Sequence, residues 1–234
     1  MGDMADSIDA PAKGAGEWGQ AVTALVLVGA LGAGLWAYER TASSADSTPV
    51  AATCSSATPA KASPYLTATQ LCEVLNRPDL AELLGTPGEI AKSTGSSGAG
   101  LKAAGGEDIP NPSAQVQLDT YTVNLAASYD HLSVAEYAEL FKGDGTHKQT
   151  VLGRTAVSYS DRTMSLSFRL DGGDSRSRPG VMARSLLVAR DAEDSGGSFE
   201  LSLWRADGVV PDDAMLARLA QTLLPTLPGW DAEV

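Results

Sequence analysis

Residues 121–129 read YTVNLAASY, and this stretch decides the predicted fold. Apolar and aromatic side chains fall on every second residue, which is typical of a β-strand with one buried face. They are Tyr121, Val123, Leu125, Ala127 and Tyr129. Val116 and Leu118 lie just upstream on the opposite parity, so the sequence predicts a β-bulge near Asp119.

Four further stretches, separated by turn residues, also predict strands. They are residues 150–159, 164–170, 181–189 and 199–205. Ser160, Asp161 and Arg162 supply the turn between the first two of these stretches. Because consecutive strands joined by short turns pair in antiparallel fashion, we expect a five-stranded antiparallel sheet.

Capping signals and apolar periodicity predict four helices around this sheet. The residues that start or end them are Thr67 with Gln70, Pro78, Ser133 with Glu136, and Asp212. A short helix over 79–84 follows the first one, and a Gly-, Ser- and Ala-rich loop over 86–112 precedes the strands. The pattern indicates the α+β class, with a five-stranded antiparallel sheet covered by helices.

Residues 18–38 read WGQAVTALVLVGALGAGLWAY and include no charged side chain. As a helix with a rise of ~1.5 Å per residue, the segment spans about 32 Å, close to the thickness of a hydrocarbon core. Trp18 at one end and Trp36 and Tyr38 at the other are the aromatics expected at a membrane interface. The sequence therefore predicts one transmembrane helix, with a cleaved secretory signal as the competing interpretation.

Small residues in this segment favour a contact between two such helices. Gly29 with Ala33, and Ala30 with Gly34, form small-xxx-small pairs that let helix backbones approach closely. The sequence therefore predicts membrane lipid as a partner of the helix and allows a weak helix-mediated homodimer.

The flanking segments complete the predicted organisation of the chain. We expect a short cytoplasmic tail over 1–17, a disordered Ser/Thr/Ala/Pro-rich stalk over 39–64, and an extracytoplasmic globular domain over 65–230. The expected location is the cell membrane, with a single pass and the C-terminal domain outside the cytoplasm.

The two cysteines lie in the stalk and in the first helix of the domain. In an oxidising compartment Cys54 and Cys72 would form one disulfide, which joins the end of the stalk to that helix. The alternative is two separate thiols, with Cys72 a small core residue.

Three stretches of the domain resemble a known group of proteins. They read LTATQLCEVLNRPDLAELLG (66–85), LGRTAVSY (152–159) and ARLAQTLLPTLPGW (217–230). The chain resembles small uncharacterised actinobacterial cell-envelope proteins, which are described as domains of unknown function. The resemblance implies a PsbP/Mog1-like α/β sandwich over 65–230, and it implies no catalytic residues because none are assigned to the group.

The charge of the chain argues against one class of partner. A net charge of −12 repels phosphate backbones and gives no affinity from counterion release. We therefore expect no nucleic-acid binding.

The sequence offers little that specifies a reaction. His131 and His147 lack ligand partners at tight spacing, so we expect no metal site and no cofactor. The glycines over 95–106 lack the pattern of a phosphate-binding loop. Trp204 and Trp230 are candidates for a binding patch, although core packing is the simpler interpretation.

Acidic residues cluster on two predicted turns. They are Asp171, Asp174, Asp191, Glu193 and Asp194. Turn acids exposed to solvent are the simplest interpretation, and a calcium site is the alternative. Carboxylates are also sufficient for hydrolysis in principle, with Asp171, Asp174 or Asp191 as the candidates.

The sequence as a whole favours a non-enzymatic module that binds an envelope protein or a small ligand. A hydrolase acting on envelope material through Asp/Glu carboxylates is one alternative, and a structural spacer is another.

Overall fold

A computed structural model of the full chain describes residues 50–55, 63–102, 106, 108–141, 145–167 and 176–230. The helices of this part are α1 (Ala68–Leu75), α2 (Leu80–Leu83), α3 (Val134–Leu140) and α4 (Asp213–Leu223), and a 3-10 turn (Leu224–Thr226) follows α4. The strands are β1 (Ser93–Ser97), β2 (Gly100–Lys102), β3 (Asp108–Pro110), β4 (Ser113–Gln117), β5 (Tyr121–Ser128), β6 (His147–Val151), β7 (Arg154–Ser167), β8 (Arg176–Ala189) and β9 (Ser198–Arg205).

Seven strands form one antiparallel sheet in the order β1-β4-β5-β9-β8-β7-β6, and β2 pairs with β3 in a separate ladder. The last strand along the chain, β9, therefore lies between β5 and β8. Leu152 and Gly153 join β6 to β7 with positive φ angles of 51° and 79°. Two positive φ angles in a two-residue loop match the right-handed twist of the flanking strands.

One face of the sheet carries the main core. Val123, Leu125, Leu201 and Leu203 on the central strands are buried there. The helix residues packed in the same core are Leu71 and Leu75 of α1, Leu80 of α2, and Leu216, Leu219 and Leu223 of α4. We call this the covered face, and its burial of large aliphatic side chains is the main stabilising term of the domain.

The opposite face, which we call the open face, is covered only in part. Val134 and Ala138 of α3 pack there against Val157, Leu187 and other residues near one end of β7 and β8. Ser133 and Glu136 form the capping box that starts α3, as predicted from the sequence.

The predicted number of strands is wrong, because the main sheet has seven strands rather than five. Strands β1 to β3 lie within the stretch 86–112 that the sequence assigns to a loop. β1 reads STGSS, mostly exposed at the edge of the sheet, so it needs no buried apolar alternation. Edge strands of this composition give no periodic signal for a sequence-based prediction to detect.

Two predicted features of the strands are also wrong. Residues 160–162 form no turn: they lie in the middle of β7 and pair with residues of β8, with a register shift between Arg162 and Met164. No bulge occurs near Asp119, because β4 and β5 form a hairpin in which the Leu118 N–H donates to the Tyr121 carbonyl at 2.8 Å. That reversal of the chain explains the change of parity.

Among the residues that the structure describes, no helix is long and apolar enough to cross a membrane. The helix predicted over 18–38 lies outside those residues, as do Trp18, Trp36 and Tyr38. Within the described residues, the predicted five-stranded sheet is thus replaced by a seven-stranded sheet with a few short helices.

Residues 51–55, which the sequence assigns to the stalk, lie against the domain. The Ala52 N–H donates to the Ala91 carbonyl at 2.8 Å, and the Thr94 hydroxyl donates to the Thr53 carbonyl at 2.8 Å. Cys54 and Cys72 form a disulfide with their Cα atoms 5.9 Å apart. This bond fixes the segment to α1.

Candidate functional site

Five polar residues cross the open face in a single row. They are Gln115, Asn124, Ser202, Ser185 and Tyr159, and each is the registered partner of the next on the adjacent strand. We call them the polar row. Because side chains alternate between the two faces of a strand, residues in register on adjacent strands point to the same side. The residues just before and after each of them along its strand contribute largely to the covered face.

Glu200 on β9 is the charged residue beside the polar row. Its Oε1 atom accepts hydrogen bonds from the Tyr159 hydroxyl at 2.7 Å and from the Ser202 hydroxyl at 3.0 Å. The Ser202 hydroxyl is also 2.7 Å from the Ser185 hydroxyl. A connected set of hydroxyl groups thus holds one carboxylate in place on the central strands.

A groove of about 320 Å³ lies above the polar row. It is lined by Gln115 of β4 and also by Met164 of β7, although β5, β9 and β8 lie between those two strands. The other lining residues outside β7 lie on those intervening strands, so the groove runs across the strands of the open face. Residues of β7 from Asp161 to Met164 form one end of the groove.

This end of the groove lies at an irregularity in the β7–β8 ladder. The register shifts between Arg162 and Met164, which leaves Thr163 without a partner in the ladder. The Thr163 hydroxyl donates to the Val181 carbonyl at 3.1 Å. A Cβ atom at Gly180 would clash with Thr163, so only glycine allows this close approach. Bulges of this kind bend a strand and increase its twist.

A second hollow of about 210 Å³ adjoins the groove, and Glu200 lines both. Aromatic rings form one side of it. Phe141 stacks on Tyr159 with ring centroids 4.5 Å apart, and Tyr137 stacks on Phe141 at 5.9 Å. Together the groove and the hollow give the open face both an apolar and a polar wall, which is the usual composition of a ligand site.

Two tyrosines of this face keep their protons to high pH. Burial and the neighbouring Glu200 carboxylate raise the pKa of Tyr159 far above its ordinary value. Burial and a 2.6 Å hydrogen bond to Asp130 raise the pKa of Tyr137 in the same way. Both phenols are therefore hydrogen-bond donors to carboxylates at neutral pH.

The acidic residues predicted as candidates from the sequence fall into two groups. Asp171 and Asp174 lie outside the described residues. Although burial acts to raise it, hydrogen bonds from Ser195 hold the pKa of Asp191 below its ordinary value. Asp194 accepts the Val134 and Ala135 N–H groups at 2.7 and 3.0 Å, and so caps α3. These two carboxylates thus stabilise a turn and a helix start.

The predicted aromatic patch is divided between two environments. Trp204 lines the groove. Trp230 packs against the core instead, with its ring 5.7 Å from that of Phe199 and the Arg154 guanidinium 3.5 Å above it. The two tryptophans do not form one surface.

The two histidines of the sequence are both exposed, and they lie on separate elements. His131 lies in the loop before α3, and His147 begins the edge strand β6. Within the described part of the chain, no group of three or more His, Cys, Asp or Glu side chains is arranged to hold a metal ion. The expected absence of a metal and of a cofactor stays a prediction.

The polar row and Glu200 are not among the site residues predicted from the sequence. A signal was present: Asn124, Glu200 and Ser202 alternate along their strands with the apolar residues of the covered face. Such residues are the expected mark of a sheet face exposed to solvent or to a ligand. Only the strand order shows that they lie together.

The fold and the groove define a class of protein: an antiparallel-sheet domain with one face covered by helices and the other carrying a short helix and a polar groove. The chain belongs to a family of unknown function, DUF6215, whose family model matches residues 12–144, more than half of its 234 residues. Gln115 and Asn124 fall inside the matched region, whereas β6 to β9 follow it. No curated protein and no solved structure matches the chain.

Proposed function

We propose that this chain is a non-enzymatic binding module whose ligand site is the groove over the open face. The observation that carries this proposal is the polar row with Glu200, which lie along a groove on the open face. Concave sites with a few convergent polar groups and an aromatic wall are where proteins usually bind ligands.

The construction of the groove supports binding over a purely structural role. A spacer needs neither a hollow nor a connected hydrogen-bond network, yet Tyr159, Ser202 and Ser185 hold Glu200 in a defined position. Fixing polar side chains before the ligand arrives reduces the entropy lost on binding.

The assignment of the turn acids also favours binding over hydrolysis. Asp191 and Asp194 are engaged with backbone N–H groups of Ser195 and of α3. The hydrolase alternative keeps Asp171 and Asp174 as its candidates, about which the described residues say nothing.

We further propose that the module works outside the cytoplasm. The disulfide between Cys54 and Cys72 supports this location, because such bonds persist in oxidising compartments and are rare in the cytosol. The charge of −12 supports the expectation that nucleic acid is not the ligand.

A screen of polar fragments against the full-length chain tests the site. Ligand-observed NMR would be recorded for wild type, for Asn124→Trp, which fills the groove, and for Gln221→Trp, which adds the same ring to the exposed side of α4. We expect fragments that bind wild type and Gln221→Trp but not Asn124→Trp. Fragments that bind all three proteins equally, or none of them, would contradict the proposal.

A further inference from the structure

The carboxylate of Glu200 has no basic partner within the described residues. The ion pairs there join other side chains, and the contacts of Glu200 are with the hydroxyl groups of Tyr159 and Ser202. A partly buried carboxylate usually has a cation beside it, because hydroxyl donors alone offset only part of its desolvation.

One oxygen of this carboxylate keeps its capacity to accept a hydrogen bond. Both hydroxyl groups donate to Oε1, so Oε2 accepts no hydrogen bond from the described residues. Among those residues, no buried side-chain nitrogen or oxygen lacks a hydrogen-bond partner. It follows that Oε2 is not fully buried, and because Glu200 lines the groove, a donor that enters there lies close to this carboxylate.

The other residues of the groove are suited to the same kind of donor. Trp204 lines the groove, and an indole ring is the best aromatic partner for an ammonium or guanidinium group. Asp161 adds a second carboxylate, and among the described residues of the lining Arg162 is the one basic side chain. The acidic balance of the whole chain attracts cations over a longer range.

We propose that the groove binds a basic segment of a partner protein, with Glu200 anchoring one lysine or arginine side chain of that segment. This inference rests on the proposed function, since it names the chemistry of the ligand for the same site. The aliphatic stem of the bound residue would lie along Trp204, and its charged end would donate to Oε2 of Glu200.

Calorimetric titration of the full-length chain tests the proposal. The probes are three capped nine-residue peptides in which serine alternates with lysine, with glutamate or with glutamine. The variants are Glu200→Gln, which keeps an acceptor for both hydroxyl groups, and Glu82→Gln, which removes the same charge from the exposed side of α2. We expect binding of the lysine peptide only, weakened about ten- to hundredfold by Glu200→Gln and unchanged by Glu82→Gln.

A second variant makes the test independent of any folding defect in Glu200→Gln. Asn124→Arg places a cation in the groove while Glu200 stays in place, so we expect it to abolish binding of the lysine peptide. Equal weakening by Glu82→Gln and Glu200→Gln would reveal general charge attraction and overturn the inference.

The failure of this inference and that of the proposed function give different results. If the lysine peptide does not bind, but the glutamine peptide or polar fragments do and Asn124→Trp removes that binding, the basic ligand is refuted and the groove is retained as the site. If Asn124→Trp changes the binding of none of the probes, both the basic ligand and the groove as the binding site are refuted.

Discussion

The Tyr159 hydroxyl donates a 2.7 Å hydrogen bond to Glu200, a residue 41 positions further along the chain and two strands away in the sheet. Strand β8 lies between them, and Ser185 of that strand bonds to Ser202 beside the same carboxylate. The bond therefore joins three strands through side chains as well as through the backbone ladder.

Replacing Tyr159 by phenylalanine tests how much this bond stabilises the fold. The variant loses a donor to a charged acceptor, and water replaces it in part, so we expect the free energy of unfolding to fall by about 1–2 kcal/mol. Urea denaturation measures the change. Tyr65→Phe is the matched control, because the exposed Tyr65 ring keeps its tilted contact with Tyr129 and loss of its hydroxyl should cost only a few tenths of a kcal/mol, roughly the effect of an ordinary surface change. Equal losses in the two variants would contradict the assignment.

The raised pKa values of Tyr137 and Tyr159 predict a loss of stability at high pH. Above about pH 10 the tyrosines of the unfolded chain release their protons, whereas those of the folded chain keep them. The unfolded state then binds fewer protons, so the free energy of unfolding decreases as the pH rises. Denaturant titrations between about pH 8 and 11 measure this slope.

The double variant Tyr137→Phe with Tyr159→Phe should make that slope shallower, since phenylalanine does not ionise. Some slope should remain, because burial also raises the pKa of Tyr129. Parallel slopes for wild type and the double variant would show that neither phenol is shielded in the folded chain.

Removing the disulfide should lower thermal stability without changing the sheet. Replacing both Cys54 and Cys72 by alanine frees residues 51–55, and the chain-entropy argument gives a loss of about 3 kcal/mol for a loop of this size. That corresponds to a decrease of about 6–12 °C in Tm for a domain of this length. Addition of a dithiol reductant to wild type should reproduce the shift, and an unchanged Tm in both cases would show that the bond contributes nothing.

Asp194 is predicted to stabilise α3 rather than to serve a reaction. Its carboxylate accepts the first N–H groups of that helix, so Asp194→Ala should cost about 1 kcal/mol and increase hydrogen exchange in α3. Glu193→Ala removes a neighbouring exposed acid and should change neither measurement. A similar loss from both variants would mean that the cluster acts through charge alone.

The sequence predicted best those elements whose signals are local. Capping boxes at Thr67 and Ser133 gave the starts of α1 and α3, and the alternation from Tyr121 gave β5. Each of these signals lies within one or two helical turns or within a single strand. They need no knowledge of what packs against them.

The rest depends on contacts between distant residues. The exposed edge strand β1 has little apolar signal, and polar residues at 160–162 indicate a turn although they pair with β8 in a long hairpin. The candidate site was missed for the same reason. Nothing local indicates that β9 lies between β5 and β8, which is what brings Asn124, Ser202 and Ser185 into one row.

The most direct test of the account is to locate a bound basic peptide on the full-length chain. A lysine–serine peptide carrying a photoreactive diazirine would be irradiated with the protein, and the labelled residues identified by mass spectrometry. We expect labels in the groove, at residues such as Met164 and Trp204, and their loss in Glu200→Gln. Labels on α1 or α4, which pack on the covered face, would contradict a basic-segment site in the groove. Labels in the groove that remain in the Glu200→Gln variant would also contradict it.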